Sequence, residues 1–197
     1  ASVLVEGLSG HQAVEAMAVA LGSPFEVSGA AHLPDGADGP VTMLRLEGFE
    51  ASVGYRLGRL SEMMAPFGPV RIEDDPASVA ASWDGVRDVR PFADRAGDVW
   101  RISVKPTDGP DVAARAGGEV LFDWGGGLIW ALVPEGTDLR ARLGAFAGHA
   151  TLVRASAGTR ARIPPFQPEP GPIAALSEGL RQQFDPRGIL NPGLMAA

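Results

Sequence analysis

Two hydrophobic rhythms alternate along this chain, and they switch in a repeating order. Residues 2–8 alternate as a strand. Ser9-Gly10 opens a helix with Val14, Met17, Ala18 and Leu21 at helical spacing and Gly22 as its stop. Residues 24–32 read as a second strand with Phe25 and Val27 on one face, and 33–40, rich in Pro, Gly and Asp, as a hairpin loop. Residues 41–47 form the third strand. A helix follows over 50–64, striped by Val53, Leu57, Leu60 and Met64, and 69–73 is the fourth strand.

That order is β-α-β-β-α-β, the ferredoxin-like arrangement. After a bridge over 76–96, helical over 76–86, the order starts again. Residues 98–105 are a strand, 108–116 a short helix and 119–124 a strand. Gly125-Gly126-Gly127 turns the chain into a strand over 128–133; a helix over 137–146 and a strand over 150–155 close the set. The expected fold is therefore α+β: duplicated ferredoxin-like units (1–75 and 97–156) with antiparallel sheet, plus a tail (157–197) of extended proline-rich connector, helix over 172–183 and turn segment. All 197 residues read as a single domain.

Composition sharpens this picture only by exclusion. The chain is 45% hydrophobic and 21% charged, ordinary for a soluble globular protein. No apolar run approaches the ~20 residues that span a bilayer, and the first residues lack the basic leader of a signal peptide. The first residue is not Met, as expected of a fragment or processed product. With no cysteine, disulfides, thiolate metal sites and cysteine nucleophiles are excluded, and a cytoplasmic location is compatible. A formal net charge of −7 argues against nucleic acid or anionic membrane as a partner.

Candidate chemistry is sparse. His11, His32 and His149 lie far apart and form no metal-binding spacing, so each is expected at the surface or in a turn. Asp75, before Pro76, reads as a helix cap. The glycine cluster 125–127 lies between two strands, not at the strand-to-helix turn a phosphate cradle needs. Period-two alternation puts Arg101, Ser103 and Lys105 on one face of a strand, and Arg45 offers the same chemistry from the first unit. Such cations and a hydroxyl suit a carboxylate substrate or a flavin edge; the plain alternative is a solvated sheet face. Trp124 and Trp130 flank the glycine turn and either wall a planar ring or pack the hairpin.

The most distinctive string is the last. Phe184-Asp185-Pro186-Arg187-Gly188-Ile189-Leu190-Asn191-Pro192-Gly193 is two tight turns, with Ile189 and Leu190 expected to pin it to a core. After a helix of the form Leu-x-x-x-Leu-x-x-x-Phe, it resembles the C-terminal signature of flavin-linked oxidases of the vanillyl-alcohol oxidase type. Trp100-Arg101-Ile102-Ser103-Val104, Asp123-Trp124-Gly125-Gly126-Gly127-Leu128-Ile129-Trp130 and Ala150-Thr151-Leu152-Val153-Arg154 are similar to the E subunits of bacterial glycolate oxidases.

The resemblance implies the C-terminal cap part of an FAD-dependent oxidoreductase subunit, with FAD held mainly by a domain not in this chain. It implies flavin contacts through Asn191, Gly193 and Trp124, a 2-hydroxyacid substrate, and partner subunits including an iron–sulfur subunit. Those partners could hold the chain at the inner face of a membrane. The fragment alone is expected to be inactive, and no catalytic residue is identified. The metal-binding histidine cluster of some flavin-linked 2-hydroxyacid dehydrogenases has no match here. The competing expectation is a non-catalytic interaction module whose sheet binds another subunit.

Overall fold

One antiparallel sheet of eight strands organises the chain. The computed structural model describes residues 1–36 and 39–190. The first half contains β1 (Ser2–Glu6), α1 (Gly10–Leu21), β2 (Gly29–Leu33), β3 (Val41–Arg45), α2 (Glu50–Met64) and β4 (Val70–Glu73). After α3 (Pro76–Arg87) come β5 (Asp98–Val104), α4 (Gly109–Ala116), β6 (Glu119–Asp123), β7 (Leu128–Val133), α5 (Leu139–Leu143) and β8 (Gly148–Arg154). Two helices follow, α6 (Ala157–Arg160) and α7 (Gly171–Phe184). The fold is α+β with an antiparallel sheet, as the patterning led one to expect.

The strand order is β4-β1-β3-β2-β6-β7-β5-β8. Within each half it runs fourth, first, third, second, and the halves meet edge to edge at β2 and β6. Inside the halves the ladders are long; β5 pairs β7 from Asp98↔Val133 to Ser103↔Leu128. The seam between the halves has one register pair, His32↔Phe122.

Alternation along the strands divides the core between the two faces of the sheet. Val3, Val5, Ala30 and Leu44 pack under α1 and α2 as a first core. Trp100, Ile102, Phe122 and Ile129 pack under α4 and α5 as a second. The opposite face carries Leu4, Ala31, Met43, Val99, Leu121 and Leu132, closed by Trp83 and Val86 of α3 and by Phe92. The bridge between the halves is thus a lid across both of them. Asp75 caps α3 as expected, accepting from Ser78 N at 2.8 Å.

Several expectations change. In α1 the buried positions are Ala13, Val14, Ala16, Met17 and Ala20, while Ala18 and Leu21 are exposed. Three alanines join Val14 and Met17 on the buried face and let that helix pack close to the sheet. The second strand begins at Gly29, not near residue 24, because Glu26 takes φ 51° and breaks the extended run. The helix expected over 137–146 spans only Leu139–Leu143, started by the Asp138 cap and stopped by Gly144 at φ 64°.

The tail differs most. Asp185 does build the turn read from its sequence, accepting from Ile189 N at 3.0 Å and Leu190 N at 2.8 Å. These bonds to the charged carboxylate hold its pKa below the ordinary value. Yet no residue of α7 is buried, and Phe184, Ile189 and Leu190 are 78%, 58% and 61% exposed. The proline-rich connector separates this segment from the sheet, and Ile173, Leu176, Leu180 and Phe184 form an apolar stripe that no described residue covers. Ile189 and Leu190 do not pin it to a core. Removing residues 171–197 should therefore shift the melting temperature by less than about 2 °C, the equivalent of about 0.5 kcal/mol at this size. A large drop in a calorimetric scan would put the tail back in the core.

His32 is the other correction: it is neither at the surface nor in a turn, but fully buried. β2 is an interior strand, so its side chain points under the helices, with Nδ1 2.9 Å from Thr42 Oγ1 and the ring 5.9 Å from that of Phe122. Burial pushes its pKa from 6.5 down to about 4, against the opposing effect of the Val41 main-chain carbonyl. A depressed folded pKa means that the unfolded chain takes up the proton first. The His32 contribution is complete above about pH 6.5 and is lost progressively down to about pH 4, a loss on the order of 3 kcal/mol. Urea unfolding of His32→Leu should accordingly show a shallower fall in stability than wild type between those limits; parallel curves would refute the assignment.

Candidate functional site

A cleft of about 520 Å³ opens on the α3 side of the sheet, across the seam between the halves. Trp83 of α3, Arg45 at the end of β3 and Gly29 at the start of β2 line the first half's side. Arg101 of β5, Trp130 of β7 and the β6–β7 turn with Asp123 and Trp124 line the other. A second cleft, of about 420 Å³, lies beside Asp138, Arg140, Phe146 and Gln167. Its central cation is already committed: Arg140 donates to the main-chain oxygens of Ala150, Pro164 and Pro165. The first cleft is the candidate site.

Local sequence explains each wall. Trp100 and Ile102 enter the second core, so Arg101 between them must face the cleft, beside its register partner Trp130. Trp83 donates its indole N–H to Ser2 Oγ at 2.9 Å, and its ring edge lies where a side chain on Gly29 would go, 3.0 Å from an added Cβ. A side chain at residue 29 would press on the Trp83 ring and require it to shift by a few tenths of an ångström. The expected glycine hairpin is tighter than a plain turn: Trp124, Gly125 and Gly126 take φ 53°, 65° and 99° in succession. A Cβ on Gly125 would sit 2.6 Å from Leu21, and one on Gly126 2.6 Å from Val14, so α1 presses directly on this turn. Trp124 pays for the same conformation with strain of about 1–3 kcal/mol, since its Cβ disfavours left-handed backbone. Asp123 holds it there, Oδ1 accepting from Trp124 N at 2.7 Å.

Charges in the cleft are unequally satisfied. Arg87 is bound by Asp84 at 2.9 Å and Asp88 at 2.7 Å. Arg45 stacks on Trp83, Cζ 5.0 Å from the ring centre, and its buried Nε lies 3.2 Å from Glu47 Oε2. That contact has the distance of an ion pair without hydrogen-bond geometry and is charge pairing only. Arg101 stacks on Trp124 at 5.1 Å and, among the described residues, has no hydrogen bond or ion pair. The Asp123 carboxyl is pushed above its ordinary pKa by burial, opposed by the Trp124 N–H and the charge of Arg45.

Of the residues singled out from sequence, Arg45, Arg101, Trp124 and Trp130 come together here. Ser103 and Lys105 do not line the cleft; Lys105 follows the last residue of β5 and pairs with Asp108 at 3.3 Å in solvent. Asn191 and Gly193 lie outside the described residues. Trp83 and Asp123 were missed: a tryptophan in a helical run reads as core, and an aspartate before a glycine turn reads as a cap.

The cleft thus has tryptophan walls and carries both arginine and aspartate side chains on an α+β scaffold. The chain is similar to glycolate oxidase subunit GlcE of Escherichia coli (strain K12), with 38% identity over 117 residues, covering 58% of this chain and 31% of that subunit. This supports the relation to the E subunits of glycolate oxidases suggested by the sequence strings. The chain spans about a third of the length of this curated relative. No family model matches it.

Because Trp124 is 58% exposed, its indole adds little burial to offset its backbone strain. Trp124→Gly should change the unfolding free energy by less than about 1 kcal/mol, relief of strain offsetting the extra freedom of the unfolded chain. Chemical denaturation measures this; a loss typical of a buried tryptophan, about 3–5 kcal/mol, would show that the ring is structural.

Proposed function

We propose that this chain is the substrate-side part of an FAD-dependent oxidoreductase subunit of the glycolate oxidase kind, capping the flavin and binding a 2-hydroxyacid by its carboxylate. The observation that carries this reading is Arg101: a guanidinium facing a cleft, oriented by Trp124 and neutralised by no described residue. Similarity to a glycolate oxidase subunit supports the substrate class.

The residues present fit a flavin in part. Trp124 and Trp130 offer flat apolar surface, and Arg45 and Arg101 offer donors to ring oxygens. A glycine-rich strand-to-helix turn for the diphosphate is not found among the described residues, and in this reading FAD is carried mainly by another domain. When bound, the flavin supplies the two-electron acceptor for the substrate hydride. What this chain does is bind and orient. Arg101 pairs with the substrate carboxylate, Trp124 fixes the plane of that guanidinium, and Trp83 and Trp130 keep water from the walls. Assembly with further subunits, an iron–sulfur subunit among them, belongs to the same proposal.

A second reading, a non-catalytic interaction module, draws on the uncovered apolar stripe of α7. The two differ in what Arg101 does. In the full-length assembled enzyme, Arg101→Ala should lower kcat/KM at least about tenfold, the value of a lost charge-assisted hydrogen bond, with the melting temperature unchanged. Arg101→Lys should recover only part, since an ammonium lacks the planar fork that stacks on Trp124. Unchanged kinetics in Arg101→Ala would return Arg101 to a solvated sheet face and favour the interaction module.

A further inference from the structure

We infer that Asp123 reads the hydroxyl group of the substrate: its free oxygen accepts a hydrogen bond from the α-hydroxyl of a 2-hydroxyacid whose carboxylate lies on Arg101. This rests on the carboxylate site proposed above and names a residue that selects among acids.

Asp123 is the last residue of β6, and Leu121, two positions earlier on the same face, belongs to the core under α3. Its carboxylate therefore points into the cleft. Its position is fixed twice, by the register pair Asp123↔Leu128 and by the bond from Trp124 N to Oδ1. Oδ2 has no hydrogen-bond partner among the described residues, which leaves one acceptor facing the ligand space. Trp124, the next residue, carries the guanidinium of Arg101 on its ring. Cation and acceptor are thus held by consecutive residues of one rigid turn. A 2-hydroxyacid presents carboxylate and hydroxyl on adjacent carbons, so it needs its two partners close together.

Arg101 alone would take any small carboxylate. Asp123 adds discrimination of both signs. An acid without a hydroxyl leaves the half-buried carboxylate unpaired and brings a like charge near it; a 2-hydroxyacid supplies the missing donor. The charge that acts on Asp123 is that of Arg45 from β3, drawn partly to Glu47; Arg87 of α3 lines the same cleft but is bound by Asp84 and Asp88. Neither donates to Oδ2. Burial raises the Asp123 pKa, so the acceptor becomes a donor at a higher pH than an exposed aspartate would.

Trp83, Trp124 and Trp130 line the cleft, so tryptophan fluorescence of the 197-residue chain reports binding directly, without flavin or turnover. Glycolate and acetate are titrated near neutral pH against wild type, Asp123→Asn, Asp123→Glu and Arg101→Ala. Wild type should bind glycolate at least about tenfold more tightly than acetate, the worth of one charge-assisted hydrogen bond. Asp123→Asn keeps an amide oxygen for Trp124 N; it should bind acetate more tightly than wild type and bring the two acids within about twofold. Asp123→Glu, which keeps the charge but moves it, should also lose the preference, and it carries the test if the asparagine variant does not fold. Full wild-type preference in either folded variant overturns the assignment. Equal binding of both acids by wild type, weakened for both in Arg101→Ala, overturns it while leaving the carboxylate site standing. Binding of neither acid by wild type overturns both.

Discussion

The placement of α3 depends on one indole, and the cleft depends on α3. Trp83 is almost fully buried against the sheet, with its N–H bonded to Ser2 and its ring over Gly29. An indole buried without a partner for its N–H would carry a desolvation cost of about 1–3 kcal/mol, so the Ser2 hydroxyl fixes where the ring can lie. The same ring receives Arg45 on its open side. One side chain therefore helps close the core shared by both halves, sets the height of α3 and builds a wall of the cleft.

The seam explains why that placement matters. Two halves joined by a single register pair gain little from strand pairing, so their relative position rests on what covers the two faces. On one face α1 meets the β6–β7 turn, Val14 and Leu21 packing where Gly125 and Gly126 have no side chains. On the other, α3 and Phe92 cover Leu4 and Met43 of the first half with Val99, Leu121 and Leu132 of the second. Beyond that patch the space between the halves is left open and becomes the cleft. Glycine in the turn and strain at Trp124 are the local consequences of bringing the two halves into close contact.

Much of this was legible in the chain. The helix over Glu50–Met64 has the bounds its stripe suggested, and strands β5 to β7 follow their alternation closely. Alternation also told that Arg101 faces away from Trp100 and Ile102, without telling what that face meets. The rest rests on contacts between distant residues. Nothing local distinguishes Trp83 from an ordinary core residue of a helix, because Ser2 and Gly29 lie 81 and 54 positions earlier. His32 sits in a short segment with weak alternation, and its burial follows from β2 becoming interior when the halves join. In the tail, apolar spacing correctly gave an amphipathic helix, but periodicity says only that a face needs cover. It does not say that the cover lies in this chain.

The three arginines of the cleft show how one residue type is made to do different work. Arg87 is held by two carboxylates and contributes almost no net charge. Arg45 has its charge shared with Glu47, while its plane is set by Trp83. Arg101 has only the ring of Trp124, and a stack of this kind orients a guanidinium without neutralising it. An arginine bound by a carboxylate would have to exchange one partner for another to take an anion, and the exchange would cancel most of the gain. A stacked arginine makes no such exchange: its only partner among the described residues occupies its face and leaves its N–H donors free. The strained backbone of Trp124 is thus understandable as the cost of keeping that one cation both ordered and unpaired.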